Sequence, residues 1–119
     1  MNIGVLGAGS WGLALTSVLL DNKHQVTLWH YKKKNLKSSS GILFTLDLDD
    51  LSNQDIILIA LPSHSIKSIL NNLKINDKTL IVNCSKGFDL ETGKTLSSTI
   101  TNQLNIDFNQ FVTLSGPTH

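Results

Sequence analysis

Apolar residues along the chain follow two patterns, which predict strands and helices in alternation. Continuous apolar runs, such as Asp55–Leu61, are typical of strands that are covered on both faces. Apolar residues at helical spacing, as in Ser63–Leu73, predict helices with one apolar face. In chain order the predicted elements are the strand Asn2–Leu6, the helix Ser10–Asp21, the strands Gln25–His30 and Ile42–Thr45, the short helix Leu46–Ser52, the strand Asp55–Leu61, the helix Ser63–Leu73, the strand Thr79–Cys84, the helix Lys94–Leu104 and the strand Phe111–Leu114.

Strands and helices that take turns along a chain indicate a parallel sheet with helices on both faces. One face of the first helix collects apolar side chains, namely Trp11, Ala14, Leu15 and Val18. A crossover between parallel strands needs roughly 10–12 residues or more, and His30 to Ile42 barely provides them. Since Lys32 to Gly41 also lacks apolar periodicity, either this crossover is reduced to a loop or sequence is missing there.

A glycine-rich turn joins the first strand to the first helix. Gly7 to Gly12 fit the pattern G-x-G-x-x-G, and their place between a strand and a helix indicates dinucleotide binding. Gly7 permits the tight turn, Gly9 lets the backbone approach a pyrophosphate, and Gly12 allows close packing of the helix on the strand. The pyrophosphate would then meet the unpaired N–H groups and the positive dipole end of the helix. The alternative is a glycine-rich turn that binds no ligand.

The end of the second strand bears on which dinucleotide binds. NAD enzymes carry an acidic residue about 20 residues after the glycines, where it holds the ribose 2′-hydroxyl. Here that place reads Trp29-His30-Tyr31, followed by three lysines at 32–34. We therefore predict that the site accepts or prefers the 2′-phosphate that distinguishes NADP from NAD. The expected cofactor is NADP or NAD, with NADPH favoured. The alternative is that the lysines form a solvated loop.

Composition narrows the class of protein. The 119 residues are 40% hydrophobic and 16% charged, as expected for one globular domain. A formal net charge of +1 gives no reason to expect nucleic acid or a membrane as partner. No basic residue precedes the first apolar stretch, so we expect no export signal and a cytoplasmic location. The single cysteine, Cys84, lies in an apolar run and is expected to be a buried structural thiol; no metal site is expected.

Four segments, taken in chain order, resemble the N-terminal domain of bacterial NAD(P)-dependent glycerol-3-phosphate dehydrogenases: GAGSWG, LIALPSHSI, NCSKGFDLETG and LSGPTH. The resemblance covers almost the whole chain. It implies a Rossmann-type α/β fold, a doubly wound parallel sheet with helices on both faces, with residues 1–119 as the dinucleotide-binding domain. It also implies an oxidoreductase of lipid metabolism, which interconverts dihydroxyacetone phosphate and sn-glycerol 3-phosphate for phospholipid synthesis.

The same resemblance implies roles for individual residues. Tyr31 and Lys32 fall where the family often has His-Arg against the adenosine-side phosphate, and Lys86 matches a lysine between nicotinamide and substrate. Lys86 also follows a predicted parallel strand, where a lysine can hold a carbonyl oxygen or phosphate; the alternative is a solvated loop lysine. The expected cofactor-binding residues are Gly7, Gly9, Ser10, Trp11, Gly12, Tyr31, Lys32 and Lys86. The expected substrate-binding residues are Lys86, Gly116 and Thr118.

Two departures from the family concern length. The segment after the second strand is shorter than the family's, and the family's chain continues past the segment LSGPTH into a helical domain. That domain supplies the lysine that acts as general acid and base, so we expect no catalytic residue in this chain and no activity from it alone. The full-length enzyme is expected to be a homodimer. The alternative is a non-catalytic dinucleotide-binding module, or the remnant of a degraded dehydrogenase gene.

Overall fold

The fold is a parallel sheet with helices on both faces. The computed structural model describes residues 1–32, 41–89 and 91–114. Its strands and α-helices are β1 (Asn2–Leu6), α1 (Ser10–Asp21), β2 (Gln25–Trp29), β3 (Ile42–Thr45), β4 (Ile56–Ile59), α2 (Ile66–Leu70), β5 (Leu80–Asn83), α3 (Leu96–Leu104) and β6 (Phe111–Thr113). The strands pair in the order β3-β2-β1-β4-β5-β6, and every pair is parallel. This is the strand order of a doubly wound dinucleotide-binding sheet, so the predicted fold class is confirmed.

Each face of the sheet carries its own apolar layer. Ile57 and Ile81 belong to the layer that α2 and α3 cover, and both side chains are fully buried. Val5 and Leu58 belong to the opposite layer, against which the leucines of α1 pack. Successive residues of a strand belong to opposite layers, because side chains along a strand point alternately to the two faces of the sheet. The continuous apolar runs seen in the sequence are therefore explained by burial on both sides.

Helix α1 packs on the sheet through a different face from the one predicted. Gly12 and Thr16 are buried, whereas Trp11 and Val18 are 47% and 58% exposed and Ala14 is exposed as well. The Thr16 hydroxyl donates a hydrogen bond of 2.8 Å to the Gly12 carbonyl, so its burial leaves no polar group unsatisfied. The prediction from apolar residues was wrong because contact with the glycine turn requires the smallest side chain at the interface.

Several predicted elements are present but shorter. The predicted helix Ser63–Leu73 is a 3-10 turn at Ser63–Ser65 followed by α2, and the predicted helix Leu46–Ser52 is a 3-10 turn at Leu48–Leu51. The Asp47 carboxylate caps the second of these turns by accepting a hydrogen bond of 3.0 Å from the Asp49 N–H. Across the described ranges, no helix combines the length and apolar character that crossing a bilayer requires.

Candidate nucleotide-binding site

Two of the three glycines in the turn are required by the fold. Gly7 has a φ of +112°, and a Cβ there would lie 2.2 Å from the Ala60 carbonyl oxygen. A Cβ on Gly12 would lie 1.9 Å from the Gly7 carbonyl oxygen. Both contacts are with backbone atoms, which cannot move aside without opening the junction between β1, β4 and α1. The roles predicted for Gly7 in the turn and for Gly12 in close packing agree with this geometry.

Gly9 is not required by the protein's own packing. Its φ of −73° and ψ of −175° suit any residue, and no atom of the described residues beyond its chain neighbours lies within 4 Å of a Cβ built on it. The position opens into empty space at the first turn of α1. A glycine where the chain itself tolerates a side chain indicates that something else approaches the backbone there.

The N-terminus of α1 is available to an anion. Gly9 is the N-cap residue, no described side chain caps the helix, and its first turn carries no acidic residue. The first N–H groups of a helix lack intrahelical partners and form the positive end of its dipole. Together with the open space at Gly9, this end of the helix has the features that bind a pyrophosphate.

A cleft of about 690 Å³ opens at the carboxyl ends of β1, β4 and β5. Its lining residues are Gly9, Ser10, Trp11, Gly12, Ala60, Leu61, Pro62, Cys84, Ser85 and Lys86. Open α/β sheets bind their ligands at the carboxyl ends of their strands. The structure thus brings Lys86 into the same cleft as the glycine turn, although the two are far apart in the sequence. Among the described residues that line the cleft, Lys86 is the cationic one and none is acidic.

Tyr31 and Lys32 follow the end of β2 and are not part of the lining of the cleft. The Gly7 N–H donates a hydrogen bond of 2.9 Å to the Trp29 carbonyl, which places the end of β2 next to the turn. Lys32 Nζ lies 5.3 Å from the centre of the exposed Tyr31 ring, within the range of a cation–π contact. The His30 ring nitrogen Nδ1 lies 3.1 Å from the Lys32 backbone nitrogen, which donates to it. The other two lysines of this segment and the predicted substrate residues Gly116 and Thr118 lie outside the described residues.

Hydrogen bonds that the sequence did not predict hold the segment leading to Lys86. The Trp11 indole N–H donates a bond of 2.8 Å to the Cys84 carbonyl, across 73 residues of sequence. The Ser85 hydroxyl accepts a bond of 2.8 Å from the Leu61 N–H. Trp11 lies in the first predicted helix and Ser85 follows a predicted strand, and neither place by itself reveals these contacts.

Cys84 is among the residues that line the cleft, and it is a buried free cysteine. The residue is 2% exposed, and burial raises the pKa of the thiol from its ordinary 9.0 to about 11. The thiolate is the reactive form of cysteine, and this environment suppresses it. The prediction of a buried structural thiol is therefore confirmed.

An ion pair anchors the loop that follows Lys86. The buried Asp89 carboxylate lies 2.8 Å from Lys67 Nζ on α2 and accepts a hydrogen bond of 3.4 Å from the Thr99 hydroxyl on α3. The Lys67 hydrogen bond is the main cause that lowers the pKa of Asp89 from its ordinary 3.8 to about 2. One carboxylate therefore joins the loop to both helices that cover this face of the sheet.

A family model and two similar relatives point to the same protein family. The model of the family described as NAD-dependent glycerol-3-phosphate dehydrogenase N-terminus matches residues 2–40 and 33–119. The relative from Fusobacterium nucleatum subsp. nucleatum, a glycerol-3-phosphate dehydrogenase [NAD(P)+], is 34% identical over 100% of this chain and 41% of its own length. The relative of the same name from Thermoanaerobacter sp. is 38% identical with the same coverage.

The solved structures agree with this result. The crystal structure of glycerol-3-phosphate dehydrogenase from Coxiella burnetii matches 98% of this chain and 41% of its own, with a TM-score of 0.80 and 26% identity. This chain thus spans about 41% of the length of the relatives it matches. Because the family model matches nearly every residue, the chain belongs to the family of the NAD-dependent glycerol-3-phosphate dehydrogenase N-terminus.

Proposed function

We propose that this chain is the cofactor-binding part of an NAD(P)H-dependent glycerol-3-phosphate dehydrogenase. The whole enzyme interconverts dihydroxyacetone phosphate and sn-glycerol 3-phosphate, an oxidoreductase step that feeds phospholipid synthesis. Residues 1–119 form its dinucleotide-binding domain, and a helical substrate domain completes the enzyme. Coverage of 41% of the relatives' length supports assigning the complete reaction to a two-domain protein.

The observation that carries the proposal is the empty space at Gly9. The fold itself explains Gly7 and Gly12 by backbone contacts, but none of the described residues fills the place of a Gly9 side chain. That place lies at the uncapped N-terminus of α1 and lines the 690 Å³ cleft. A pyrophosphate that sits against the Gly9 backbone accounts for both the missing side chain and the missing cap.

Different residues in and around the cleft bind different parts of the cofactor and the substrate. The backbone of Gly9, with Ser10 and Trp11, binds the pyrophosphate, and the Tyr31–Lys32 pair binds the adenosine side. When bound, the nicotinamide cofactor supplies or accepts the hydride. The Lys86 ammonium opposes negative charge on the substrate oxygen or phosphate. Gly116 and Thr118 contact the substrate, and the general acid and base belongs to the helical domain.

The lysine at the end of β2 supports a preference for NADPH over NADH. In the described segment after β2, Tyr31 and Lys32 stand where an NAD enzyme carries an acidic residue, and Lys32 adds positive charge. Replacing Lys32 with alanine is expected to weaken NADPH binding and to leave NADH binding within about twofold, because only the 2′-phosphate uses that charge. Tighter binding of NADH than of NADPH to the unaltered chain would refute the preference.

Steady-state kinetics of the longer gene product test the proposed reaction. Dihydroxyacetone phosphate should be reduced with NADPH or NADH, and Lys86→Ala should lower kcat/KM about a hundredfold while leaving cofactor binding mostly intact. Lys94→Ala is the matched control, because Lys94 is exposed and lies outside the cleft lining. A longer product that ignores this substrate would contradict the assignment of the reaction. An unaffected Lys86 variant would leave that residue as a loop lysine.

A non-catalytic dinucleotide-binding module, or the remnant of a degraded gene, is the second candidate. It is favoured by the way the family model matches the chain, in two separate segments that overlap at residues 33–40 and not in one continuous segment. The alignment with the Fusobacterium relative also runs to 138 residues against the 119 of this chain. Sequencing of the gene separates the candidates: a reading frame that continues past His119 supports the enzyme, and a stop codon there supports the module.

The proposal extends to assembly and location. The full-length enzyme is a homodimer in the cytoplasm, with small phosphorylated substrates as its partners and neither nucleic acid nor membrane. Light scattering of the longer product should give twice the protomer mass. Fractionation of cells should recover the protein with the cytosolic enzymes, and recovery in the membrane pellet would contradict that location.

A further inference from the structure

Strands β4 and β5 stop pairing at the edge of the cleft, and the segments that follow the two strands then separate. The last backbone bond between them runs from the Cys84 N–H to the Ile59 carbonyl, at 2.8 Å. Beyond this point the segment after β4 continues to Leu61 and Pro62, and the segment after β5 continues to Ser85 and Lys86. All four residues line the cleft. These two segments form the side of the cleft that lies away from β2 in the strand order.

The side chain of Ser85 holds the two segments together beyond the last backbone bond. Its Oγ accepts the hydrogen bond of 2.8 Å from the Leu61 N–H and donates one of 3.3 Å to the Ile59 carbonyl. Its backbone N–H in turn donates to the Asn83 side-chain oxygen at 2.9 Å. Both the hydroxyl and the backbone of Ser85 are thereby fixed. Leu61 is buried, so its N–H depends on this hydroxyl for a partner.

The location of Ser85 relates it to one half of a bound dinucleotide. The pyrophosphate takes the glycine turn and the adenosine takes the end of β2, so the nicotinamide half extends over the ends of β4 and β5. We propose that Ser85 is a positioning residue for this half, because it fixes the spacing of the Leu61 and Lys86 segments against which the nicotinamide lies. The inference rests on the proposed function. It concerns neither the pyrophosphate nor the adenosine contacts.

Binding of two ligands that differ only in the nicotinamide tests the proposal. The first ligand is NADH or NADPH, whichever binds more tightly. The second is the ADP-ribose with the same 2′ group, which is a hydroxyl for NADH and a phosphate for NADPH. Each ligand is titrated into the chain. Ser85→Ala should weaken binding of the reduced cofactor about fivefold, the typical worth of one hydrogen bond, and leave ADP-ribose binding within about twofold. Ser85→Thr keeps the hydroxyl and should restore cofactor binding to within about twofold of the unaltered chain.

Ser68→Ala is the matched control, because its hydroxyl also bonds a backbone carbonyl but lies outside the cleft lining. It should change neither affinity by more than about twofold. If Ser85→Ala does not fold, Ser85→Cys replaces it, since a thiol of similar size is only a weak hydrogen-bonding group. Equal weakening of both ligands, or no weakening of either, would overturn the role of Ser85 and leave the proposed function intact. Failure of the unaltered chain to bind any of the ligands would overturn both.

Discussion

The different reasons for Gly9 and Gly12 predict opposite effects of the same substitution. Gly12→Ala would put its Cβ 1.9 Å from the Gly7 carbonyl oxygen and 2.9 Å from the Gly7 carbonyl carbon. Comfortable contacts between carbon atoms lie at about 3.5–4.0 Å, so helix and turn must separate. Overpacking of this kind costs about 1–3 kcal/mol, and a clash with rigid backbone belongs at the upper end, about 3 kcal/mol.

Gly9→Ala should instead leave the fold unharmed. Its backbone conformation suits alanine, and within the part of the chain that the structure describes no residue other than its chain neighbours lies within 4 Å of the new Cβ. Replacing glycine at a compatible site stabilises a protein by about 0.4–1 kcal/mol, because the unfolded chain loses freedom. The same methyl group stands where the pyrophosphate approaches, so dinucleotide binding should weaken about five- to 150-fold, as expected for a clash of about 1–3 kcal/mol.

Thermal unfolding and a cofactor titration on the same samples separate the two effects. Gly12→Ala should lower the melting temperature by about 10 °C, and Gly9→Ala should leave it equal or slightly higher. Gly93→Ala is a useful control, because it also has open space around its Cβ but has a φ of +71° and lies outside the cleft lining. It should cost stability without weakening binding by the folded chain. If Gly9→Ala bound the cofactor as tightly as the unaltered chain, no pyrophosphate would lie against the Gly9 backbone.

Three further predictions concern the surroundings of the cleft. Trp11→Phe removes the indole bond to the Cys84 carbonyl and should lower the free energy of unfolding by about 1 kcal/mol, measured by urea denaturation; an unchanged value would mean that the bond contributes nothing. Because burial raises the Cys84 pKa to about 11, its thiolate fraction at pH 8 is about a hundredfold smaller than in the unfolded chain, and a thiol reagent should react slowly until denaturant is added. Asp89→Asn should lower the melting temperature at pH 6, because the low Asp89 pKa contributes stability above its ordinary 3.8. That contribution disappears as the pH falls toward about 2, so the difference from the unaltered chain should vanish there, and a difference constant from pH 6 to 2 would exclude the ion pair as its cause.

The sequence predicted the sheet well because each strand is an apolar run bounded by turn residues. Asp55–Leu61 is an example: its buried centre became β4, and Pro62 follows its end. The glycine turn was equally legible, because the roles of Gly7 and Gly12 depend on backbone contacts that recur in this fold. These features are local, or depend on a neighbour fixed by the strand order.

The features that escaped prediction depend on contacts between distant residues. Nothing in the sequence near Ser85 indicates that its hydroxyl bonds the Leu61 N–H, 24 residues away. The packed face of α1 was mispredicted for a related reason. Hydrophobicity favoured the face with Trp11 and Val18, whereas the close approach of the helix to the turn selected the face with Gly12. How closely a helix approaches a neighbouring turn is determined by the assembled fold, and it produces no periodic pattern in the sequence.

We propose that the glycine turn and the cleft beside it bind a pyrophosphate dinucleotide. This binding can be measured by calorimetric titration of the chain with NADPH and with NADH, with Gly9→Ala as the paired variant. We expect saturable binding at one site, tighter for NADPH, and loss of most of that affinity in the variant while its melting temperature is equal or slightly higher. Absence of binding of both dinucleotides to the folded chain, or equal binding by the variant, would contradict the proposed binding site.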